Sequence, residues 1–285
     1  MLINLPYNFS IYPESVAKDS WMSAIAVIYT RDGFVLAADG RRSLDDDATE
    51  AAQFLLSDMV QKIFPVEDRD RTLAYAITGL AGSDDGKFDT YVEAAKQTER
   101  LSNLEFRNLD GYAEEFCRGL NKAFNLTKKQ GHVPRFPQIK RLPQLGGWGI
   151  ATAVFAGYFQ GAPSWSYADF FHHDNLPSAF RVNVAPISPG NRLFSGSGRI
   201  QQLTYPNDRD TKTDPRFARY IKPTGPDTSL EGAVDIGRGF IEAHSDPVAL
   251  QEDYDVCKRV GGHIHIAKVT PSGFEWLVKP KTPAK

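Results

Sequence analysis

The order in which strand and helix patterns follow one another along the chain predicts a mixed α/β (α+β) fold. Short apolar runs bounded by turn residues recur between residues 24 and 82, the apolar period then lengthens to that of amphipathic helices, and strand patterns return near residue 148. A further long helix and a terminal hairpin follow. The elements thus follow the order strands, two helices, strands, helices, strands. This order favours two sheets stacked face to face with helical layers outside, rather than a doubly wound parallel sheet.

The composition is that of an ordinary globular protein. Of the 285 residues, 41% are apolar and 24% are charged, and the net charge is −2. No field of one sign therefore predicts a nucleic acid or membrane partner. Two cysteines are too few for a secreted disulfide framework, the N-terminus lacks the pattern of a signal peptide, and no apolar run reaches the roughly 20 residues of a membrane span. We therefore expect a cytoplasmic protein.

No internal repeat or shift in composition marks a domain boundary. The sequence predicts one domain over residues 23–279. Residues 1–22, with two prolines and scattered aromatic residues, are predicted to be an extended arm or a removable pro-segment. Residues 280–285 are predicted to be a tail.

The first predicted element is a hairpin. Residues 24–29 and 34–38 are runs of small and β-branched apolar residues, and the sequence Thr-Arg-Asp-Gly separates them. Asp-Gly between apolar runs is a strong hairpin signal, because Gly accepts the positive φ of a tight turn. Both strands are apolar on both faces, which predicts cover on each side. Asp39 follows the second strand, where a rigid scaffold meets polar residues.

Two more strands follow. Residues 44–53 are acidic and polar, which predicts a loop. Residues 58–66 are predicted to form a short strand with Lys62 among apolar neighbours, and residues 72–80 a second strand that ends at glycines.

Two amphipathic helices are predicted next, over residues 84–101 and 108–129. The proline-rich, basic stretch at 131–147 predicts a long surface loop. One face of the second helix carries the apolar residues Tyr112, Phe116, Leu120 and Phe124.

The rest of the chain returns to strands, with one long helix. Its N-terminus is marked by Thr228 or Ser229 as cap and by Glu231 in the first turn. A short helix is also predicted after the glycines that follow Ser195, and a polar insertion at 205–226. The predicted strands are 148–159 and 164–168 as a hairpin, 180–184, 192–195, and 262–269 with 274–278 as a closing hairpin; the predicted long helix is 229–244.

Four segments resemble, in this order, the proteasome subunit family within the N-terminal nucleophile (Ntn) hydrolases, as a divergent bacterial-type member. They are SAIAVIYTRDGFVLAADGRRS, SDMVQKIFPV, LAYAITGLAG and RLFSGSG. The resemblance is most specific over residues 23–82 and extends more coarsely to about residue 278. It implies a four-layer αββα sandwich that cleaves a peptide or amide substrate without a cofactor, in a homo-oligomer built as a ring or a helical array.

The resemblance also implies a catalytic apparatus. Active family members use an N-terminal hydroxyl residue whose own α-amine is the base, tuned by a strand-end Asp and a Lys. A hydroxyl is a poor nucleophile until a base takes its proton, and an α-amine with a pKa of about 7.7–8.0 can take it without a histidine. The matching residues here are Ser23 as nucleophile after removal of residues 1–22, Asp39, Lys62, Gly82 as an oxyanion-hole donor, Ser197 and Asp255.

A second interpretation is an inactive α-type structural or assembly subunit of the same family. Such subunits carry a similar strand-end turn, a Lys before Ile and a related Ser-Gly motif. Val260 stands where the family has a late Ser, and a shift of one residue puts Met22 in the first position. On this interpretation Asp39 and Lys62 form only a structural ion pair.

Two histidine groups are candidate metal sites. His263 and His265 share one face of a predicted strand, and His172, His173 and Asp174 adjoin in a predicted loop. Neither group has an additional ligand at suitable spacing. The sequence therefore predicts no metal.

Overall fold

The structure is a computed structural model that describes residues 23–43, 55–79, 82, 87–131, 141–142, 147–172, 177–184, 187–206 and 212–281. The arm predicted at 1–22 and the loop predicted at 44–53 lie outside the described residues, as do most of the loop predicted at 131–147 and most of the tail.

Among the described residues, strands come first and last, and helices lie between them and before the final hairpin. The strands are β1 Ile25–Thr30, β2 Gly33–Ala38, β3 Arg42–Ser43, β4 Leu55–Ser57, β5 Ile63–Asp68, β6 Arg71–Gly79, β7 Arg141–Leu142, β8 Gly147–Phe159, β9 Ala162–His172, β10 Ala179–Val184, β11 Arg192–Ser195, β12 His265–Thr270 and β13 Gly273–Val278. The helices are α1 Thr90–Leu101, α2 Leu109–Lys129, α3 Gly198–Thr204, α4 Leu230–His244, α5 Pro247–Glu252 and α6 Tyr254–Cys257, with a 3-10 helix at Pro215–Tyr220.

The strands form two larger antiparallel sheets. The first has the order β11-β1-β2-β12-β13, and the second has the order β10-β9-β8-β6-β5, with β7 paired to β8. A separate two-stranded ribbon joins β3 and β4. The chain is thus a mixed α/β protein built on two antiparallel sheets, and the predicted class is confirmed at that level.

Buried side chains of the described residues form four clusters, and the three largest join the two sheets to each other and to the helices. One lies where inner faces of both sheets meet and includes Ile25, Phe34 and Val154. A second joins the other face of β6 and β8 to α1 and α2 through residues such as Tyr75 and Phe116. A third joins the remaining face of β1 and β2 to α4, and its members include Ala26, Val35, Ile236 and Phe240. Alternate residues of β1 therefore face different clusters, as the two-residue strand period requires.

The first hairpin agrees with its prediction. Every residue of β1 and β2 is buried, which follows from apolar contacts on both faces. At the turn, Thr30 Oγ1 donates to the carbonyl of Gly33 at 3.0 Å. Gly33 has φ +150°, and a Cβ atom there would lie 2.5 Å from the carbonyl oxygen of Val269. Glycine is required here by both conformation and space.

Helix caps explain most of the differences in boundaries. The helix predicted from residue 84 begins at Thr90, because the side chain of Asp89 accepts hydrogen bonds from the backbone N–H groups of Tyr91 and Val92. The next helix begins one residue later than predicted, with Asn108 as its cap. The long helix predicted from residue 229 is capped by Ser229 and ends at His244, as predicted.

Other segments differ more from the prediction. The strand predicted from residue 58 begins at Ile63, which leaves Lys62 in the segment just before it. β9 continues to His172 instead of ending at residue 168, because it pairs with β8 on one side and β10 on the other. Two short helices, α5 and α6, were not predicted; they are capped by Asp246 and Asp253. Among the described residues, no helix combines the length and the apolar character required to cross a bilayer.

Candidate active site

Ser23 lies at the start of β1, at one end of the space between the two sheets. Ile25, Val27 and Tyr29 point into the cluster between the sheets, so the strand period places the side chain of Ser23 on the same face. The residue is only 3% exposed. Its Oγ atom accepts a hydrogen bond of 2.8 Å from the Nζ atom of Lys62.

Lys62 also forms an ion pair with Asp39. Its Nζ atom lies 2.8 Å from Oδ1 of Asp39, and both side chains are fully buried. Ser23, Lys62 and Asp39 therefore form a continuous hydrogen-bonded row. Three segments far apart in sequence meet here: the approach to β1, the residue after β2 and the residue before β5.

Backbone donors complete the surroundings of Asp39. Oδ1 accepts the N–H of Ala24 at 3.0 Å, and Oδ2 accepts the N–H groups of Arg41 and Gly261, both at 3.2 Å. A buried carboxylate requires such partners, because the loss of water is otherwise costly. The carboxylate is thus fixed in position and holds the ammonium group of Lys62 against Ser23.

The charge of Lys62 is balanced between opposing effects. Burial lowers the pKa of Lys62, the adjacent Asp39 raises it, and the more distant charge of Arg41 lowers it; the net result is a pKa below the ordinary value. A lysine of lowered pKa gives up its proton more readily than an exposed one. The site therefore contains a hydroxyl group in direct contact with a buried amine whose pKa is set by its neighbours.

His265 fixes the backbone of Lys62. Its Nε2 atom accepts the N–H of Lys62 at 3.0 Å, and the carbonyl of Lys62 accepts the N–H of Ile77 at 3.2 Å. Burial, with a smaller effect from the charge of Lys62, lowers the pKa of His265 to about 3. The imidazole is consequently neutral, as an acceptor must be.

Arg41 connects the Asp39 turn to the segment before β12. Its guanidinium contacts Asp58 at 2.8 Å and donates to the carbonyls of Lys258 and Val260 at 3.4 and 3.2 Å. These contacts hold the backbone of Gly261 against the carboxylate of Asp39. Arg41, Gly261 and His265 are parts of the site that the sequence did not predict. The run Asp-Gly-Arg-Arg at the end of β2 was the available signal for Arg41.

Ser197 follows β11, the strand that pairs with β1. This pairing ends with Ile25 opposite Ser195, so Ser23 and Ser197 each lie two residues beyond the same end of the ladder. Ser197 is fully buried and caps α3. Its Oγ atom donates to Oδ2 of Asp253 at 2.6 Å and accepts the N–H of Ile200 at 3.1 Å.

Asp255 is not brought to these residues. Its side chain is 73% exposed and lies 3.5 Å from Nζ of Lys258. The carboxylate that reaches Ser197 belongs to Asp253, two residues earlier. Asp253 precedes α6 and points inward as its cap, whereas Asp255 lies in the first turn of that helix. Spacing along the sequence did not reveal this difference, because the short helix was not predicted.

Gly82 lies three residues after β6. The end of β6 is next to Lys62 through the Ile77 N–H bond, and Gly82 itself forms an isolated antiparallel bridge with Asp89. Its role as a donor to an oxyanion stays a prediction.

The candidate metal ligands His263 and His265 have other partners. His265 accepts from the backbone of Lys62, and Nε2 of His263 lies 2.7 Å from the carbonyl of Lys279. In the described ranges no group of three or more His, Cys, Asp or Glu side chains is arranged to hold a metal ion; His173 and Asp174 lie outside those ranges.

The site is therefore defined by its geometry: a buried serine hydroxyl, a lysine of lowered pKa and a carboxylate fixed by backbone donors. Its function has to be inferred from that chemistry. No model of a known protein family matches the chain, and comparison with curated proteins gives no match.

Proposed function

We propose that this protein is an Ntn hydrolase of the proteasome subunit type, which cleaves a peptide or amide bond with Ser23 as nucleophile after residues 1–22 are removed. The observation that carries the proposal is the row from Ser23 Oγ through Lys62 Nζ to Asp39 Oδ1, with both contacts at 2.8 Å. The resemblance to the proteasome subunit family assigns these three residues, which lie in separate segments of the sequence, to one site.

The packing supports the fold that accompanies this function. The cluster between the sheets and the two clusters that join each sheet to helices are what a four-layer αββα sandwich requires. The position of Ser23 at the beginning of a central strand, at one end of the space between the sheets, suits a nucleophile at a mature N-terminus.

The proposed reaction uses the amine that removal of residues 1–22 would expose. The amine takes the proton of Ser23 Oγ as that oxygen attacks the substrate carbonyl, and the resulting tetrahedral oxyanion is stabilised by backbone donors, among them the N–H of Gly82. The amine then returns the proton to the leaving nitrogen, and the C–N bond breaks. Water hydrolyses the ester on Ser23 by the reverse proton transfers.

Lys62 and Asp39 have distinct parts in this scheme. The positive charge of Lys62 favours the neutral form of a nearby amine and so lowers its pKa towards the working pH. Asp39 keeps Lys62 charged enough for that effect and in contact with Ser23. Asp253, through its bond to the Ser197 hydroxyl, fixes the strand that lies beside the nucleophile.

A structural or assembly subunit without activity is the second candidate. The same contacts support it, because a row of buried hydrogen bonds also ties β1, β2 and the approach to β5 together. Asp39 in particular satisfies backbone N–H groups from three different residues. On this proposal the row contributes stability alone.

Intact-mass measurement of the purified protein, with N-terminal sequencing, separates the two candidates. A chain that begins at Ser23 supports the hydrolase, and a chain that keeps Met1 supports the structural subunit. Ser23→Ala is expected to abolish hydrolysis of fluorogenic peptide amides while the melting temperature stays within a few degrees, since only one oxygen is removed. Full turnover by Ser23→Ala would exclude Ser23 as the nucleophile.

Assembly and location belong to the same proposal. We expect a cytoplasmic homo-oligomer, either a ring or a helical array, in which the outer helices of neighbouring subunits pack together. Val92 on α1 and Leu126 on α2 are 52% and 57% exposed, which suits such a contact. Sedimentation as a monomer at micromolar concentration would contradict it.

A further inference from the structure

His244, the last residue of α4, is completely buried next to the candidate site. Its Nε2 atom accepts the backbone N–H of Ser197 at 3.0 Å. Its Nδ1 atom lies 2.8 Å from the carbonyl of Phe240 and donates to it. Both ring nitrogens are thus used, and they require the neutral tautomer that carries its proton on Nδ1.

The backbone at Gly196 is shaped to fit this ring. Gly196 has φ +155°, and a Cβ atom there would lie 2.7 Å from Nε2 of His244. On the same helix, the ring of Phe240 stacks on Phe194 of β11 with centroids 4.3 Å apart and contacts the His244 ring at 4.4 Å. The end of β11 is therefore fastened to α4 by stacked rings and by a hydrogen bond at its last turn.

Ser197 is held from two directions as a result. Nε2 of His244 accepts a hydrogen bond from its backbone N–H, and Oδ2 of Asp253 accepts one from its hydroxyl at 2.6 Å. The pairing of β11 with β1 ends with Ile25 opposite Ser195, and this doubly fixed residue leaves the ladder at the same end as Ser23. A shift of the Gly196–Ser197 backbone would therefore change what lies beside the nucleophile and the space into which a substrate must fit.

We propose that His244 is a positioning residue for the hydrolysis, acting through Ser197 to hold the strand beside Ser23. This inference rests on the proposed function. The neutral imidazole is the competent form, because a proton on Nε2 would replace the acceptor with a second donor facing the N–H of Ser197. Burial lowers the pKa of His244 and so favours that form, although the nearby carboxylates of Asp39 and Asp253 act in the opposite direction.

Three substitutions in the full chain separate positioning from simple packing. His244→Gln can place an acceptor oxygen where Nε2 of the imidazole was. The shorter amide of His244→Asn reaches only the position of Nδ1, and His244→Leu has no polar atom at either position. Ile241→Val is the matched control, because Ile241 is buried on the same helix and packs in the apolar cluster that α4 forms with β1 and β2. Each variant is compared with the wild-type protein by melting temperature and by kcat and KM on the fluorogenic peptide amide that the wild type cleaves best.

We expect His244→Leu and His244→Asn to lower kcat by about 10-fold or more with KM changed less than about 3-fold, as for a group that acts mainly in the transition state. His244→Gln should recover most of kcat. Ile241→Val should melt at a lower temperature with kcat unchanged. If His244→Leu does not fold, the comparison of Gln with Asn still decides the matter.

Wild-type kcat in His244→Asn, or equal loss in the Gln and Asn variants, would overturn the positioning role. So would a loss of kcat that follows melting temperature across all variants, Ile241→Val included. Ser23→Ala, measured alongside, separates this result from failure of the proposed function. An inactive wild type or an active Ser23→Ala protein overturns the function and the inference together, whereas an active wild type with an inactive Ser23→Ala protein leaves the His244 result decisive by itself.

Discussion

At the scale of single residues, Lys62 links the chemistry of the site to its stability. It is one of the largest fully buried side chains, and its ammonium contacts both the Ser23 hydroxyl and the Asp39 carboxylate. A buried ion pair contributes little net stability, but removal of one partner leaves the other charge buried without compensation. The same substitution therefore has a kinetic and a thermodynamic effect, and the two have to be measured separately.

Lys62→Ala is predicted to shift the acidic limb of the pH–rate profile to higher pH. Without the adjacent positive charge, the pKa of the Ser23 amine in the proposed mature protein is higher. The active neutral form of the amine therefore appears only at higher pH. Unfolding in urea should show a loss of about 3–5 kcal/mol, because Asp39 loses its ion-pair partner.

Lys268→Ala is the control for the loss of a lysine. Lys268 pairs with Glu275 at 2.8 Å near the surface, so we expect a loss of less than about 1 kcal/mol and an unchanged profile. A Lys62→Ala protein that is less stable but keeps the acidic limb of the wild type would show that Lys62 serves as scaffold alone.

At the scale of elements, the first hairpin is the part of the fold on which the site is built. Ser23 precedes β1 and Asp39 follows β2, so the pairing of Ile25 with Ala38 brings both residues to the same end of the sheet. The N–H of Asp39 donates to the carbonyl of Ala24 at 3.1 Å, which continues the ladder up to the site. Any change that distorts the turn at Gly33 therefore acts on the site through two short strands.

Gly33→Ala is predicted to destabilise the protein more than Gly161→Ala. Both glycines have positive φ, at +150° and +78°, but a Cβ at Gly33 meets the Val269 carbonyl at 2.5 Å, whereas nothing lies within 4 Å at Gly161. The second substitution costs only the conformational strain of about 1 kcal/mol. We expect the first to cost about 1–3 kcal/mol more, because the strand β12 has to move.

Chemical denaturation of both variants measures this difference. Equal losses at the two positions would show that the close approach between the hairpin and β12 does not contribute, and that backbone conformation alone accounts for the requirement for glycine.

At the scale of the whole molecule, buried histidines make stability depend on pH. In the unfolded chain His265 takes up a proton near pH 6.5, but in the folded chain its pKa is lowered to about 3. Between these values the unfolded state binds the additional proton. The stabilisation is therefore complete above pH 6.5 and falls by about 1.4 kcal/mol per unit as the pH falls towards 3.

Two other buried groups act in the same interval. The pKa of His244 is lowered by burial and adds to the loss of stability in acid. The pKa of Asp169 is raised to about 6 by burial, so that its contribution has the opposite sign: it is complete below the unfolded value and is lost as the pH rises through 6. The net slope thus reflects several groups, and a single histidine is isolated only by comparison with a variant.

His265→Gln is predicted to reduce the sensitivity to acid. Gln keeps an acceptor for the N–H of Lys62 and cannot be protonated in this range. The free energy of unfolding of wild type relative to the variant should fall by about 2–3 kcal/mol between pH 7 and pH 4.5, as one proton per molecule requires. Urea unfolding at half-unit intervals of pH measures it, and parallel curves for the two proteins would contradict the assignment.

The sequence by itself determined the elements whose signals are local. The continuous apolar runs and the Asp-Gly turn between them predicted β1 and β2, the 3.6-residue period predicted α2, and the cap at Ser229 predicted the start of α4. The order of the elements predicted the mixed class with two sheets. These features depend on neighbours within a few residues, which a single sequence displays directly.

Tertiary structure decided everything that depends on distant segments. The contacts of Lys62 with Ser23 and Asp39 were predicted through the resemblance. Three other contacts had no signal in the spacing of residues: the hydrogen bond from Arg41 to the carbonyl of Val260, the one from the N–H of Gly261 to Asp39, and the one from the N–H of Lys62 to His265. The choice of Asp253 over Asp255 depended on which residue capped a four-residue helix. Hydrogen bonds between residues some 50 to 220 positions apart form only when the packed sheets and helices fix their backbones, and for that reason the local pattern of the sequence does not contain them.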